Sequence, residues 1–162
     1  MEAPVRQKTS PKDFFLHLLS IVTLYGSAVS FIVLTFQYIN IWKPDVLSGD
    51  DYFRVRGIYQ LIRWQIASLI VIFPTYVLTS LHLVKMYTRD PEKRNLRIRK
   101  WLIYFTLFAA ALIIIGDLVT LIYNLLGGET TIRFLLKVAV VLFVAGSVFG
   151  HYFADLRKHK TE

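Results

Sequence analysis

Asp117 and Lys137 are ionisable side chains set inside long apolar runs, and they are the residues with most chemistry to offer. An unpaired charge in hydrocarbon costs about 3 kcal/mol or more, so each needs a partner, water or a function. At 1.5 Å per residue, both fall roughly 6–8 Å from the midplane, on the same side of it. Gly127-Gly128 joins their two runs by a short turn, which makes the runs neighbours. Three readings follow: an ion pair fixing the register, a step in an ion path or proton relay, or Lys137 snorkelling to the interface alone. Arg63 and Arg133 lie near the mouth on that same side, where a cationic rim favours anions. Asp117, Lys137, Arg63 and Arg133 form the candidate intramembrane polar site.

Histidine is the next chemistry-bearing type. His17 opens the first apolar run, His82 closes the second and His151 closes the last, so all three gather at the opposite end. Paired axial histidines can hold a haem, although solvated interfacial histidines are commoner. In the last run, Arg133, Lys137, Val144, Ser147 and His151 fall within about 80° of one another at about 100° per residue. Gly146-x-x-x-Gly150 on the other side is a small-residue face suited to helix contact. Ser68, Thr75, Thr79 and His82 share a stripe in the second run, but membrane hydroxyls more often bond their own backbone or a neighbouring helix than line a pore. Pro74 should bend the second run. Tyr25 and Tyr76, near the midplane, need hydroxyl partners and argue for a polar interior.

Known catalytic patterns are missing. The chain has no Walker loop, dinucleotide glycine pattern, His-Glu-x-x-His or Gly-x-Ser-x-Gly, and no persuasive serine–base pair. An enzyme is not expected, nor a cofactor or metal. Asp45, Ser48, Asp50 and Asp51 lack EF-hand spacing and read as a solvated loop. With no cysteine there is no disulfide, iron–sulfur cluster or thiol nucleophile.

The elements that must position these residues follow from hydropathy. The composition is 55% hydrophobic with a mean hydropathy of +0.50, too apolar for a small soluble domain. The apolar residues concentrate in runs at about 14–39, 64–86, 101–126 and 132–153, each at or above the ~20 residues needed to span a bilayer. Backbone groups in lipid must be satisfied internally, so the runs are helices, and no alternating barrel pattern is visible. The expected fold is all-α: an integral membrane four-helix bundle of antiparallel up-down topology, as a single domain over 1–162.

Boundary signals agree. Ser10-Pro11-Lys12-Asp13 starts a helix, and Asp90-Pro91-Glu92 repeats the pattern, so the third helix is expected to begin about a dozen residues before its apolar run. Trp42, Trp64 and Trp101 all fall at span ends, in the headgroup layer. The first run is longer than a signal-peptide core and lacks a small-x-small cleavage site, so it reads as a retained span.

The tails 1–13 and 154–162 and the loop 87–100, with Lys85, hold 13 of the 19 Lys and Arg. The positive-inside rule makes that side cytoplasmic and the compartment the cell membrane. The formal net charge of +8 flanks spans instead of forming a nucleic-acid face. The stretch Lys85–Lys100 suits anionic lipid headgroups.

Several stretches resemble one family: Ser10-Pro11-Lys12-Asp13-Phe14-Phe15, Phe36-Gln37-Tyr38-Ile39-Asn40, Ile62-Arg63-Trp64, Arg99-Lys100-Trp101-Leu102, Ile115-Gly116-Asp117-Leu118, and Leu126-Gly127-Gly128-Glu129 followed by Arg133-Phe134. Together they resemble DUF5671, a family of small bacterial membrane proteins catalogued as a domain of unknown function. The resemblance covers about Pro11 to Leu156. It implies a four-helix membrane domain and supplies no activity, cofactor or catalytic residue.

Buried charge, a cationic outer rim and a kink point first to a channel or transporter-like protein. Four spans alone enclose little aqueous space, so that reading calls for a homo-oligomer. An accessory or scaffold subunit, using the Gly146/Gly150 face and the basic loop, is the alternative. A haem-binding redox protein is third.

Overall fold

The computed structural model describes residues 10–43, 52–128 and 130–158. The Asp45–Asp51 cluster and Glu129 lie outside them. Among the described residues the chain forms four long α-helices: α1 (Pro11–Trp42), α2 (Tyr52–Arg89), α3 (Arg97–Gly127) and α4 (Ile132–Lys158). All four are long and apolar enough to cross a membrane. The helices outrun the apolar runs because backbone hydrogen bonding continues into polar flanks once a span has nucleated a helix.

Local sequence explains the ends. Pro11 occupies the first helical turn of α1, where its missing N–H costs nothing. The Phe14 N–H bonds the Ser10 carbonyl at 3.1 Å, while the Ser10 side chain makes no cap hydrogen bond. The Asp90-Pro91 start opens a short 3-10 helix, Pro91–Asn95, and not the first turn of α3. Leu96 breaks the path with an extended backbone (ψ 131°) and turns its side chain into the core; α3 begins at the next residue. Gly128 ends α3 in the left-handed region (φ 69°), a conformation glycine adopts without the Cβ penalty. Helix α2 continues through Pro74, which offers no N–H to the Ile70 carbonyl.

The packing is turned inside out relative to a soluble bundle. Buried polar residues gather on α1: Asp13, His17, Ser20, Thr23, Ser27 and Ser30. At about 100° per residue, Asp13, His17, Ser20 and Ser27 lie within about 80° of one another, so α1 has a polar face. That face turns inward, whereas Phe15, Val22 and Val29 of the same helix turn outward. The other helices also expose large apolar side chains, including Ile70 and Leu78, Phe108 and Val119, and Phe143. Water would penalise so much exposed apolar surface; lipid does not.

Helix α1 is the hub. It packs along α2 and also touches α4 and α3, while α3 packs along α4. Among the described residues no Cα of α2 comes within 8 Å of one in α3 or α4, so side chains alone bridge the seams beside it. Positions ascending α1 meet positions descending α2: His17 meets Tyr87, Ser20 meets Ser80 and Gly26 meets Ile72.

Gly26 sets the spacing of that last contact. A Cβ placed there would sit 3.3 Å from Ile72 Cγ2, so alanine fits after a small side-chain adjustment. Leucine would drive a branched group into Ile72, and overpacking of this kind costs about 1–3 kcal/mol. Gly26→Leu should melt clearly below wild type in detergent and Gly26→Ala close to it. Equal melting for Gly26→Leu would mean that the helices separate there without cost.

Candidate functional site

The polar face of α1 leads to a connected cluster at the end of the bundle that carries the 3-10 helix. His17, only 4% exposed, lies at its centre. Its Nδ1 lies 2.6 Å from the Asp13 carbonyl, which can only accept, so Nδ1 carries a proton. In the neutral ring Nε2 is then an acceptor, and the Tyr87 hydroxyl donates to it across 2.5 Å. The tautomer is thus set by α1's own backbone, and the bond pins the end of α2 to the start of α1.

Arginine closes the cluster from the other side. The Arg99 guanidinium stacks over the Tyr87 ring at 5.1 Å and pairs with Asp155 at 2.5 Å. It also donates to the Arg94 carbonyl at 3.2 Å. One side chain from α3 thereby ties together α2, the 3-10 helix and α4. Arg94 leans toward the same ring at 6.0 Å, and no carboxylate pairs with it among the described residues. Higher up, the Tyr25 hydroxyl donates to Thr106 at 2.9 Å. Thr106 is fully buried and donates in turn to the Leu102 carbonyl at 2.8 Å. Tyr25 therefore has the partner its depth requires.

His17, Tyr87, Arg94, Arg99 and Asp155 border a cavity of about 350 Å³ lined by all four helices and the 3-10 helix. Its polar wall includes His17, Arg94, Arg99, His151, Tyr152 and Asp155. With Arg99 paired to Asp155, Arg94 is the arginine of this wall with no carboxylate partner among the described residues, which suits the wall to an anion.

The chain belongs to the DUF5671 family. The model for that domain of unknown function matches residues 13–152, which take in His17, Tyr87, Arg94, Arg99 and His151. No curated protein and no solved structure gives a match.

In this DUF5671 domain the residues singled out by depth do not converge. Lys137 places its ammonium 5.4 Å from the centre of the Phe36 ring. Asp117 is half-buried, with one carboxylate oxygen buried and without a hydrogen-bond partner. No ion pair joins them among the described residues. Arg63 is exposed and borders a separate groove with Val55, Arg56, Tyr59 and Gln60. Arg133 is half-buried on α4, four residues before Lys137. At Gly146 and Gly150 an added Cβ would meet nothing within 4 Å, so among the described residues no other helix packs closely on that small-residue face.

The histidines divide. His17 and His151 share the cavity, whereas His82 is exposed beside a basic groove that includes Lys12, Lys85 and Lys93. Both ring nitrogens of His17 are already engaged, so ligating an iron there would sacrifice one of two short bonds. Thr75 and Thr79 bond carbonyls of their own helix at 2.7 Å, as hydroxyls in membrane helices commonly do.

Tyr87, Arg99 and Asp155 were not visible as a site from the chain alone. One signal for the polar face of α1 was present: hydroxyl, His and Asp side chains recurring every three or four residues inside an apolar run.

Proposed function

We propose that this DUF5671 protein is an integral protein of the cell membrane with four antiparallel spans and both termini in the cytoplasm. Its polar cavity is the cytoplasm-side anion site of a transporter-like protein. One observation carries this reading. A cavity of about 350 Å³, whose largely apolar wall carries Arg94, Arg99 and hydroxyls from α1, α2 and α4, lies at the end of the bundle richest in Lys and Arg. The positive-inside rule supports the orientation, and the basic segment Lys85–Lys100 would face anionic lipid headgroups. The seams beside α2 support movement of that helix relative to α3 and α4.

Flux is the test. Pure protein in liposomes should pass small anions faster than protein-free vesicles do, and Arg94→Gln should slow that flux. Rates equal to empty vesicles across common anions and cations would end the transport reading. Because the chain has no cysteine, a single cysteine introduced at Glu92 can report sidedness. Labelling of that cysteine by an impermeant thiol reagent from outside intact cells would overturn the orientation.

A further inference from the structure

Tyr76 of α2 borders both this cavity and a second one of about 250 Å³. The second cavity lies along the same α2–α4 seam, with α1 as its floor, and apart from Ser27, Tyr76 and Ser147 its wall is apolar. The two meet α1 between His17 and Phe31, a rise of roughly 21 Å at 1.5 Å per residue. That length matches the headgroup layer plus about half of a ~30 Å hydrocarbon core, the depth of a single leaflet. The seam is cationic at the headgroup level and apolar at the acyl level.

We propose that the α2–α4 seam holds one anionic phospholipid, its phosphate beside Arg94 and an acyl chain in the apolar cavity beyond Tyr76. Charge complementarity selects the head: the Arg94 guanidinium borders the polar cavity with no carboxylate paired to it among the described residues. Among the described residues His151 makes only a ring contact with Tyr152 there. The apolar cavity selects the chain, and its open side is bordered by exposed Phe31, Phe73 and Phe143.

The inference rests on the reading of the polar cavity as an anion site and is independent of flux. The full-length protein in neutral detergent is offered equal amounts of phosphatidylglycerol and phosphatidylcholine, with retained lipid read by native mass spectrometry. Phosphatidylglycerol should be retained preferentially. Arg94→Gln should weaken that retention about fivefold, the worth of one juxtamembrane charge, while Arg54→Gln at the far end of α2 leaves it unchanged. Ala28→Phe on α1 and Ser147→Phe on α4 fill the apolar cavity from opposite sides, so one remains informative if the other fails to fold. Each should release the lipid without weakening binding of glycerol phosphate. Equal retention of the two lipids overturns the proposal. So does glycerol phosphate binding as tightly as the lipid, which would leave the anion site standing and remove the chain. Lipid bound without flux would remove transport and keep the seam.

Discussion

Replacing His17 by alanine should destabilise the folded bundle by about 2–3 kcal/mol, more than any substitution on the outward face of α1. The imidazole is nearly sealed from solvent, and its removal has two separable consequences. The Tyr87 hydroxyl loses its acceptor, and hydrogen bonds within membrane bundles are worth about 0.6 kcal/mol on average and at most about 1.7. The remaining loss is packing, because a ring that joins α1 to α2 leaves a void which only part of the surroundings can fill. The Asp13 carbonyl loses little, since it still accepts the helical N–H of His17. Tyr87→Phe separates the two consequences. It keeps the ring beneath Arg99 and deletes only the hydroxyl, so it should cost about 1 kcal/mol. Melting of both variants in one detergent provides the comparison. If His17→Ala melts with wild type, the cluster is not structural; if Tyr87→Phe falls as far as His17→Ala, the hydrogen bond and not packing dominates.

The difference between the charges flagged by depth and the residues that converge has a physical basis. Depth along a helix follows from counting, and counting places Asp117 and Lys137 at similar heights. Contact also depends on rotation about each axis, and rotation is decided by packing against neighbours. Lys137 settles over Phe36 of α1 and not beside Asp117, because α1 touches α4 as well as α2 and α3. The four long apolar helices and the Gly128 turn were legible, since lipid imposes length and apolarity. The partner of Tyr25 was legible in kind but not in identity, because any buried hydroxyl needs one. The polar face of α1 carries mostly neutral hydroxyls, which a search keyed to charge passes over. Arg99 and Asp155 stand 56 positions apart in flanks that the basic loop had already explained, so nothing local marked them as partners. Leu96 was hidden for another reason: the Asp90-Pro91 start is a genuine helix signal, and burial of Leu96 overrides it.

Arg99→Ala should cost about 2–3 kcal/mol, and Asp155→Ala about 1–2, with the double variant falling short of their sum by about 1–2 kcal/mol. The asymmetry comes from what each side chain does. Asp155 accepts from Arg99, and its side chain is 31% exposed, so solvent screens part of its worth. The Arg99 side chain is only 14% exposed, and it additionally stacks on Tyr87 and donates to the Arg94 carbonyl. Lysine should rescue little, because an ammonium lacks the planar fork that meets a carboxylate, a carbonyl and a ring face together. Asp155→Asn should be milder than Asp155→Ala, since the amide oxygen still accepts from Arg99. Among the described residues the Cα atoms of α2 stay more than 8 Å from those of α3 and α4, so a side chain that reaches across, as Arg99 does, is a principal link over the seam at this end. Its loss should therefore loosen the end of α2 and raise proteolysis near Arg89 as well as lower the melting temperature. Strict additivity of the two single variants would show that the Arg99–Asp155 pair carries no coupling energy, and unchanged cleavage near Arg89 would show that the seam is held elsewhere.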